Sequence, residues 1–419
     1  MKMRIIFLLA VLTLSAPVLI PYAQEAVLPG HNTENKSGLS EILGGFPADN
    51  PQIRILEGRL AAARAEERSA RLLPNPGVGY RVERAGDTDT FIEGSWPLDV
   101  SGRRRLSRKA AKAGTASAEN LYAWQIHSLF ADVETLFFEL LAGQERLRIA
   151  EEGARRYESI LNNVRSRAGE TDYDRLRLEK ELSEIKADAN EASRDVIDLR
   201  SDFAVLLNRD PNELELGGKI KNEEPIPDYK ILQASILSGH PRVAAALKQA
   251  EKRQLERKAA RRRWFPDLNL TGGFKSVSGE GNRDSGFTAG LSIALPLFDR
   301  GQADADLAQA EGSIADAAAV IAKQEILQSF SRTYQDARLL KTAVQEYETA
   351  LLNAERLEQM AGLAYLEGRL GILELLDAYR GAIESRLRFI NMTLEARLSE
   401  IELRRIVGRP FEELKEEKA

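Results

Sequence analysis

From Tyr122 to Val164, apolar or small residues return at alternating steps of four and three: Tyr122, Ile126, Leu129, Val133, Leu136, Leu140, Gly143, Leu147, Ala150, Ala154, Tyr157, Leu161 and Val164. That rhythm keeps one stripe of a helix turned toward a partner helix, as coiled-coil packing requires. No proline lies between Pro97 and Pro211, so one unbroken helix is predicted over 103–166. The rhythm pauses at Ala168-Gly169, and a return helix is predicted over 172–207. A shorter helix is predicted from Pro51 to about Leu73, capped by Asn50 with proline in its first turn. Placed end to end, the short and return helices nearly match the long one, so the pair can lie alongside it as a rod.

Between the short and the long helix the period falls to two. Val78, Tyr80 and Val82 alternate with Gly79, Arg81 and Glu83; on the way back Ile92, Trp96 and Leu98 face away from Glu93 and Ser95. A clearer case follows, with Leu268, Leu270, Gly272 and Phe274 alternating with Asn269, Thr271, Gly273 and Lys275. After a polar turn expected at Ser278–Ser285, Phe287, Ala289, Leu291, Ile293 and Leu295 alternate with Thr288, Gly290, Ser292 and Ala294. These patterns predict hairpins over 76–98 and 267–297, with strands of about 9–11 residues, the length that crosses a bilayer. Four strands cannot close a barrel, and unpaired edges are not tolerated in hydrocarbon. Closure would have to come from further copies of the chain.

The whole pattern is written twice. Asn50-Pro51 is matched by His240-Pro241, and Pro76 by Pro266, at an offset of 190. Trp96-Pro97-Leu98 with Gly102 is matched by Leu295-Pro296-Leu297 with Gly301, and Gly169 by Gly368, at an offset of 199. Leu207-Asn208-Arg209 and Val407-Gly408-Arg409 close the two copies. The predicted organisation is an extension over 27–48, a first repeat over 49–210, an equatorial linker over 211–239, a second repeat over 240–408 and a tail over 409–419. The second repeat has its long helix over 302–364 and its return helix over 371–406. The expected fold is mainly α with a membrane β-barrel portion, built from a duplicated unit of long antiparallel helices plus a β-hairpin.

Composition narrows the setting. Lys2, Arg4 and the apolar run Ile5–Leu14 predict an export signal over 1–26. The chain has no cysteine, which excludes disulfides and thiolate metal sites, and its three histidines, His31, His127 and His240, are far apart in sequence. No resident metal, cofactor or enzymatic activity is expected: there is no nucleophile–base set and no phosphate-binding glycine loop. A net charge of −5 leaves no nucleic-acid footprint. The runs Arg103-Arg104-Arg105 and Arg261-Arg262-Arg263 therefore fit a membrane edge better than nucleic acid; Trp96, Arg103, Arg263 and Trp264 are its candidate residues.

Leu73-Pro74-Asn75-Pro76, Leu295-Pro296-Leu297-Phe298-Asp299-Arg300-Gly301, Arg167-Ala168-Gly169-Glu170 and Tyr365-Leu366-Glu367-Gly368-Arg369 stand in an order that resembles the TolC family of outer-membrane efflux proteins, and within it the CzcC-like heavy-metal ducts. The resemblance covers about 40 to 410. It implies a homotrimer with a twelve-stranded barrel and a twelve-helix periplasmic tunnel in the Gram-negative outer membrane. It also implies a periplasmic adaptor and an inner-membrane pump, expected to be of the resistance-nodulation-division type. The pauses would be the tunnel's far tips, with Arg167, Gly169, Glu170, Thr171, Glu367, Gly368 and Arg369 as candidate docking residues. Asp172, Asp174, Glu374 and Asp377 crowd just past the pauses; three copies would turn each inward acid into a ring of like charge. Arg380, three positions beyond Asp377, is expected to pair with it across one turn. Metal cations are the expected cargo; a duct for drugs or polypeptides, or a periplasmic coiled-coil adaptor, remains open at this point.

Overall fold

The computed structural model describes residues 37–46, 50–85, 87–166, 171–214, 216–221, 224–279, 282–409 and 411. The expected signal, most of the extension, Arg167, Gly169, Glu170 and all of the tail but Arg409 and Phe411 lie outside these residues. The order is α1 (Leu39–Gly45), α2 (Pro51–Arg71), β1 (Gly77–Ala85), β2 (Asp87–Leu98), α3 (Arg103–Ser166) and α4 (Asp172–Leu207). After the linker come α5 (Tyr229–Gly239), α6 (Pro241–Ala260), β3 (Asp267–Gly279), β4 (Asn282–Ala294), α7 (Gln302–Leu366) and α8 (Ile372–Val407).

The heptad stripe explains α3. Val133, Leu140, Ala150, Tyr157 and Leu161 are buried, with Ile126, Leu136 and Leu147 packed at the margin. At Gly143 an added Cβ would stand 3.1 Å from Leu199, so α4 approaches closely there. With 64 residues α3 is about 96 Å long. α2 and α4 pack along it, and α6 and α8 pack along α7. Within each repeat the short helix meets the return helix end on. Asn50 Nδ2 donates to the Leu206 carbonyl at 2.7 Å, joining the start of α2 to the end of α4. In the second repeat Gly408, at the end of α8, lies against His240 and Pro241 at the start of α6. α6 and α8 also touch α3, so the two rods share it.

The two hairpins join through β2 and β3 into one antiparallel sheet of order β1-β2-β3-β4. Its register aligns Tyr80, Ile92, Phe274 and Phe287 across all four strands, and Trp96, Leu270 and Leu291 across three. Among the described residues β1 and β4 each have a strand on one side only.

One expectation is corrected. Most of the expected polar turn Ser278–Ser285 is strand: Ser276 pairs with Ser285 and Ser278 with Arg283, because ladder hydrogen bonds need no apolar side chain. The linker carries a helix, α5, whose Leu232 and Ile236 are buried with Phe330, Tyr334 and Leu403. The extension carries another, α1, with Ile42 and Phe46 buried and the Phe46 ring edge-on to Phe130 at 5.6 Å. The long helix of the second repeat runs to Leu366, and its return helix to Val407.

Candidate functional site

At the sheet end, chemistry divides by face. Val78 is 84 % exposed and Phe287 93 %, and Tyr80, Ile92, Leu291 and Ile293 are exposed beside them, so the apolar face lies bare. The other face is polar. Lys275 Nζ meets Asp89 at 2.6 Å, and Arg81 meets Glu83 at 3.3 Å and Glu93 at 3.6 Å. Both cations sit over the buried Phe91 ring, at 4.6 Å for Arg81 and 5.1 Å for Lys275.

Where sheet meets helices, the arginine runs are largely engaged within the chain. Arg103 pairs with Asp267 at the start of β3, and Arg263 with Asp304 on α7. Arg104 donates to the Leu72 carbonyl and Arg108 to those of Ala70 and Arg71, satisfying the end of α2 and its negative dipole. Arg262 donates to the Ser101 carbonyl at 3.0 Å. Trp96 is exposed and folds over Gly94, where a Cβ would stand 3.0 Å from the indole. Trp264 is exposed and edge-on to Phe265 at 5.2 Å. Asp267 and Asp304, the partners of Arg103 and Arg263, carried no sequence signal.

At the opposite end, Gly368 has φ +72° and ends α7 in a Schellman turn, with Gly368 N–H on the Tyr365 carbonyl at 3.0 Å and Arg369 N–H on the Ala364 carbonyl at 2.8 Å. Glu367 pairs with Arg369 at 3.2 Å. Thr171 and Asp174 form a reciprocal capping box at the start of α4, which gives this acid a local structural role. Asp172 is exposed and 3.6 Å from Arg175. Glu374 and Asp377 are exposed on the first turns of α8. Arg380 does not make the expected bond to Asp377. It reaches Glu181 on α4 at 2.9 Å, because packing across helices places that carboxylate beside it. Beneath lies an apolar cluster of Tyr157, Leu178, Leu182, Leu375 and Leu376. Burial first, then the charge of Glu181, pushes the Tyr157 phenol up to about 12.

A second ion network lies further along the rod. Glu358, 4 % exposed on α7, is held by Arg156 of α3 and by Arg386 of α8 at 2.7 Å. Arg386 also reaches Glu355 at 3.2 Å. Removing one partner of such a buried group costs about 3–5 kcal/mol, so it locks three helices together. No group of three or more His, Asp or Glu among the described residues is placed to hold a metal ion. No described helix is long and apolar enough to cross a membrane.

The family model for outer membrane efflux proteins matches residues 47–170, the first repeat up to the end of its long helix, and 232–409, the second repeat. The chain belongs to that family. It is 25 % identical over 349 residues to the cobalt-zinc-cadmium resistance protein CzcC of Cupriavidus metallidurans, covering 81 % of this chain and 82 % of that one. It is 23 % identical over 336 residues to the cation efflux system protein CusC of Escherichia coli K12, covering 76 % and 72 %. The solved outer-membrane channel OprN superimposes with a TM-score of 0.76 at 21 % identity, over 89 % of this chain and 90 % of that one. This family member is an outer-membrane efflux channel of the TolC type, located in the Gram-negative outer membrane. Its relatives are channels rather than enzymes.

Proposed function

We propose that three copies of this channel protein close into one duct, with twelve strands in the outer membrane and twelve helices forming a periplasmic tunnel. The observation that carries the proposal is the sheet: one bare apolar face, one charged face, and two edges with no neighbour among the described residues. Each unpaired backbone group in hydrocarbon costs several kcal/mol, so the edges demand strands from other copies. The apolar face then meets lipid, and the face with Arg81, Glu93 and Lys275 lines water.

At the far tips, Thr171, Glu367, Gly368 and Arg369, with Arg167, Gly169 and Glu170, dock a periplasmic adaptor. An inner-membrane pump of the resistance-nodulation-division type supplies the energy. Glu374 and Asp377 ring the constriction, and the Arg380–Glu181 bridge holds α8 against α4 in the closed form. The cargo is heavy-metal cations, a reading supported by the names of CzcC and CusC and by the exposed acids at the tip. Cross-linking in native outer membranes should stop at three chains; a stable monomeric barrel overturns the assembly. Cells lacking the chain should become sensitive to divalent metal cations and keep their drug resistance. The reverse pattern overturns the cargo.

A further inference from the structure

Away from both ends of the rod, α7, α8 and the linker enclose a cavity of about 180 Å³. Its lining includes three cationic side chains, Lys221 of the linker, Lys341 of α7 and Arg397 of α8, and one carboxylate, Glu400. Lys341 reaches Glu400 at 2.9 Å and donates to the Glu224 carbonyl. Arg397 reaches the Glu400 carboxylate at 3.6 Å, with the charge of Glu134 also acting on it, so the three cations Lys341, Arg397 and Arg404 share two carboxylates. Lys221 is held by Glu348 at 2.9 Å. Arg397 is clamped over the Phe138 ring at 4.4 Å, and its Nε is buried without a hydrogen-bond partner. Burial, followed by the charge of Arg404, holds the Arg397 guanidinium below its ordinary pKa. Arg404 itself is engaged by Glu134.

A buried cation that must share its counter-charge is unfavourable unless a further anion completes the set. Guanidinium and ammonium groups converging on one space match the geometry of a tetrahedral oxyanion. We propose that this cavity binds a small oxyanion of the phosphate class, held by Arg397, Lys341 and Lys221, which pins the linker to α7 and α8. Neither helix end nor barrel takes part. The site therefore stands whether the cargo is a metal or another substrate.

The test is thermal unfolding of the detergent-solubilised full-length protein, titrated with inorganic phosphate, glycerol 3-phosphate, or chloride at matched ionic strength. A ligand that binds only the folded form raises the midpoint in a concentration-dependent way. Phosphate should raise it and chloride should not. A stronger response to glycerol 3-phosphate identifies the occupant as a phosphoester, and a stronger response to inorganic phosphate as the free ion. Arg397→Gln should abolish the response. Lys221→Gln, in the linker and away from the helical core, should fold normally and weaken the apparent affinity about tenfold. The proposal is overturned if chloride acts equally, if neither phosphate acts, or if Lys221→Gln responds like the parent.

Discussion

Replacing His240 with asparagine copies the first repeat into the second. Asn50 and His240 occupy equivalent places, each before the proline that starts a short helix and each 2 % exposed. Asn50 Oδ1 accepts the Gln52 N–H at 2.8 Å while its amide donates to Leu206. His240 Nδ1 accepts the Arg242 N–H at 3.2 Å, which requires the proton on Nε2. Nε2 is turned toward the Ile406 carbonyl without closing a full hydrogen bond. A second proton would have to go to Nδ1 and would remove the helix cap. Burial, reinforced by the charges of Arg242, His127 and Arg409, lowers the imidazole from 6.5 to about 4. Folding thus favours the neutral ring. Its contribution is complete above pH 6.5 and is lost as pH falls toward 4. At about 1.4 kcal/mol per pH unit of separation, the loss reaches about 3 kcal/mol on full protonation and about 2 kcal/mol by pH 5. His127, buried and 2.9 Å from the Arg404 carbonyl, is also lowered and stays in both proteins. The assay is denaturant unfolding of the detergent-solubilised protein from pH 8 to 4.5. Asparagine is as good a cap, so His240→Asn should match the parent at pH 8 and exceed it by about 2 kcal/mol at pH 5. Parallel pH curves for the two proteins refute the clamp.

Other predictions test the two ends. Leu291→Asp should impair membrane assembly while Ser292→Asp should not, because the penalty for a mid-membrane charge, up to about 2–4 kcal/mol for basic residues and less for Asp, falls on the lipid face alone; equal assembly by heat-modifiable electrophoresis means the faces are assigned wrongly. Gly368→Ala meets no atom within 4 Å, so its cost is the left-handed backbone alone, about 1–2 kcal/mol, and trimers should persist. Gly368→Pro cannot adopt φ +72°, and efflux should fall with trimers intact; unchanged efflux removes the tip from docking. Asp377→Ala should raise single-channel conductance in planar bilayers and weaken block by divalent cations; no change in either places Asp377 outside the lumen.

What the sequence discloses is whatever repeats along it. The heptad of α3 and the alternation around Leu270 and Leu291 are forced by burying one stripe or wetting one face, so they show in one dimension. Ion pairs do not. Arg380 has an acid three residues away in Asp377, yet its partner is Glu181, 199 positions earlier, because the rods pack side by side. Glu358 looks like any charge on a solvated helix until α3 and α8 close over it. Short elements escape for another reason: α1 buries one side chain and α5 three, too few to establish a period. The duplication shows where the limit lies. Aligning Asn50 with His240 locates a clamp that joins two helix ends in each repeat, and that much is geometry, inherited by both copies. Whether the clamp titrates depends on the ring now standing there and on the arginines around it. Position is therefore readable from the repeat, but response to pH is not, since it arises only when Arg242 and Arg409 are brought around one buried imidazole.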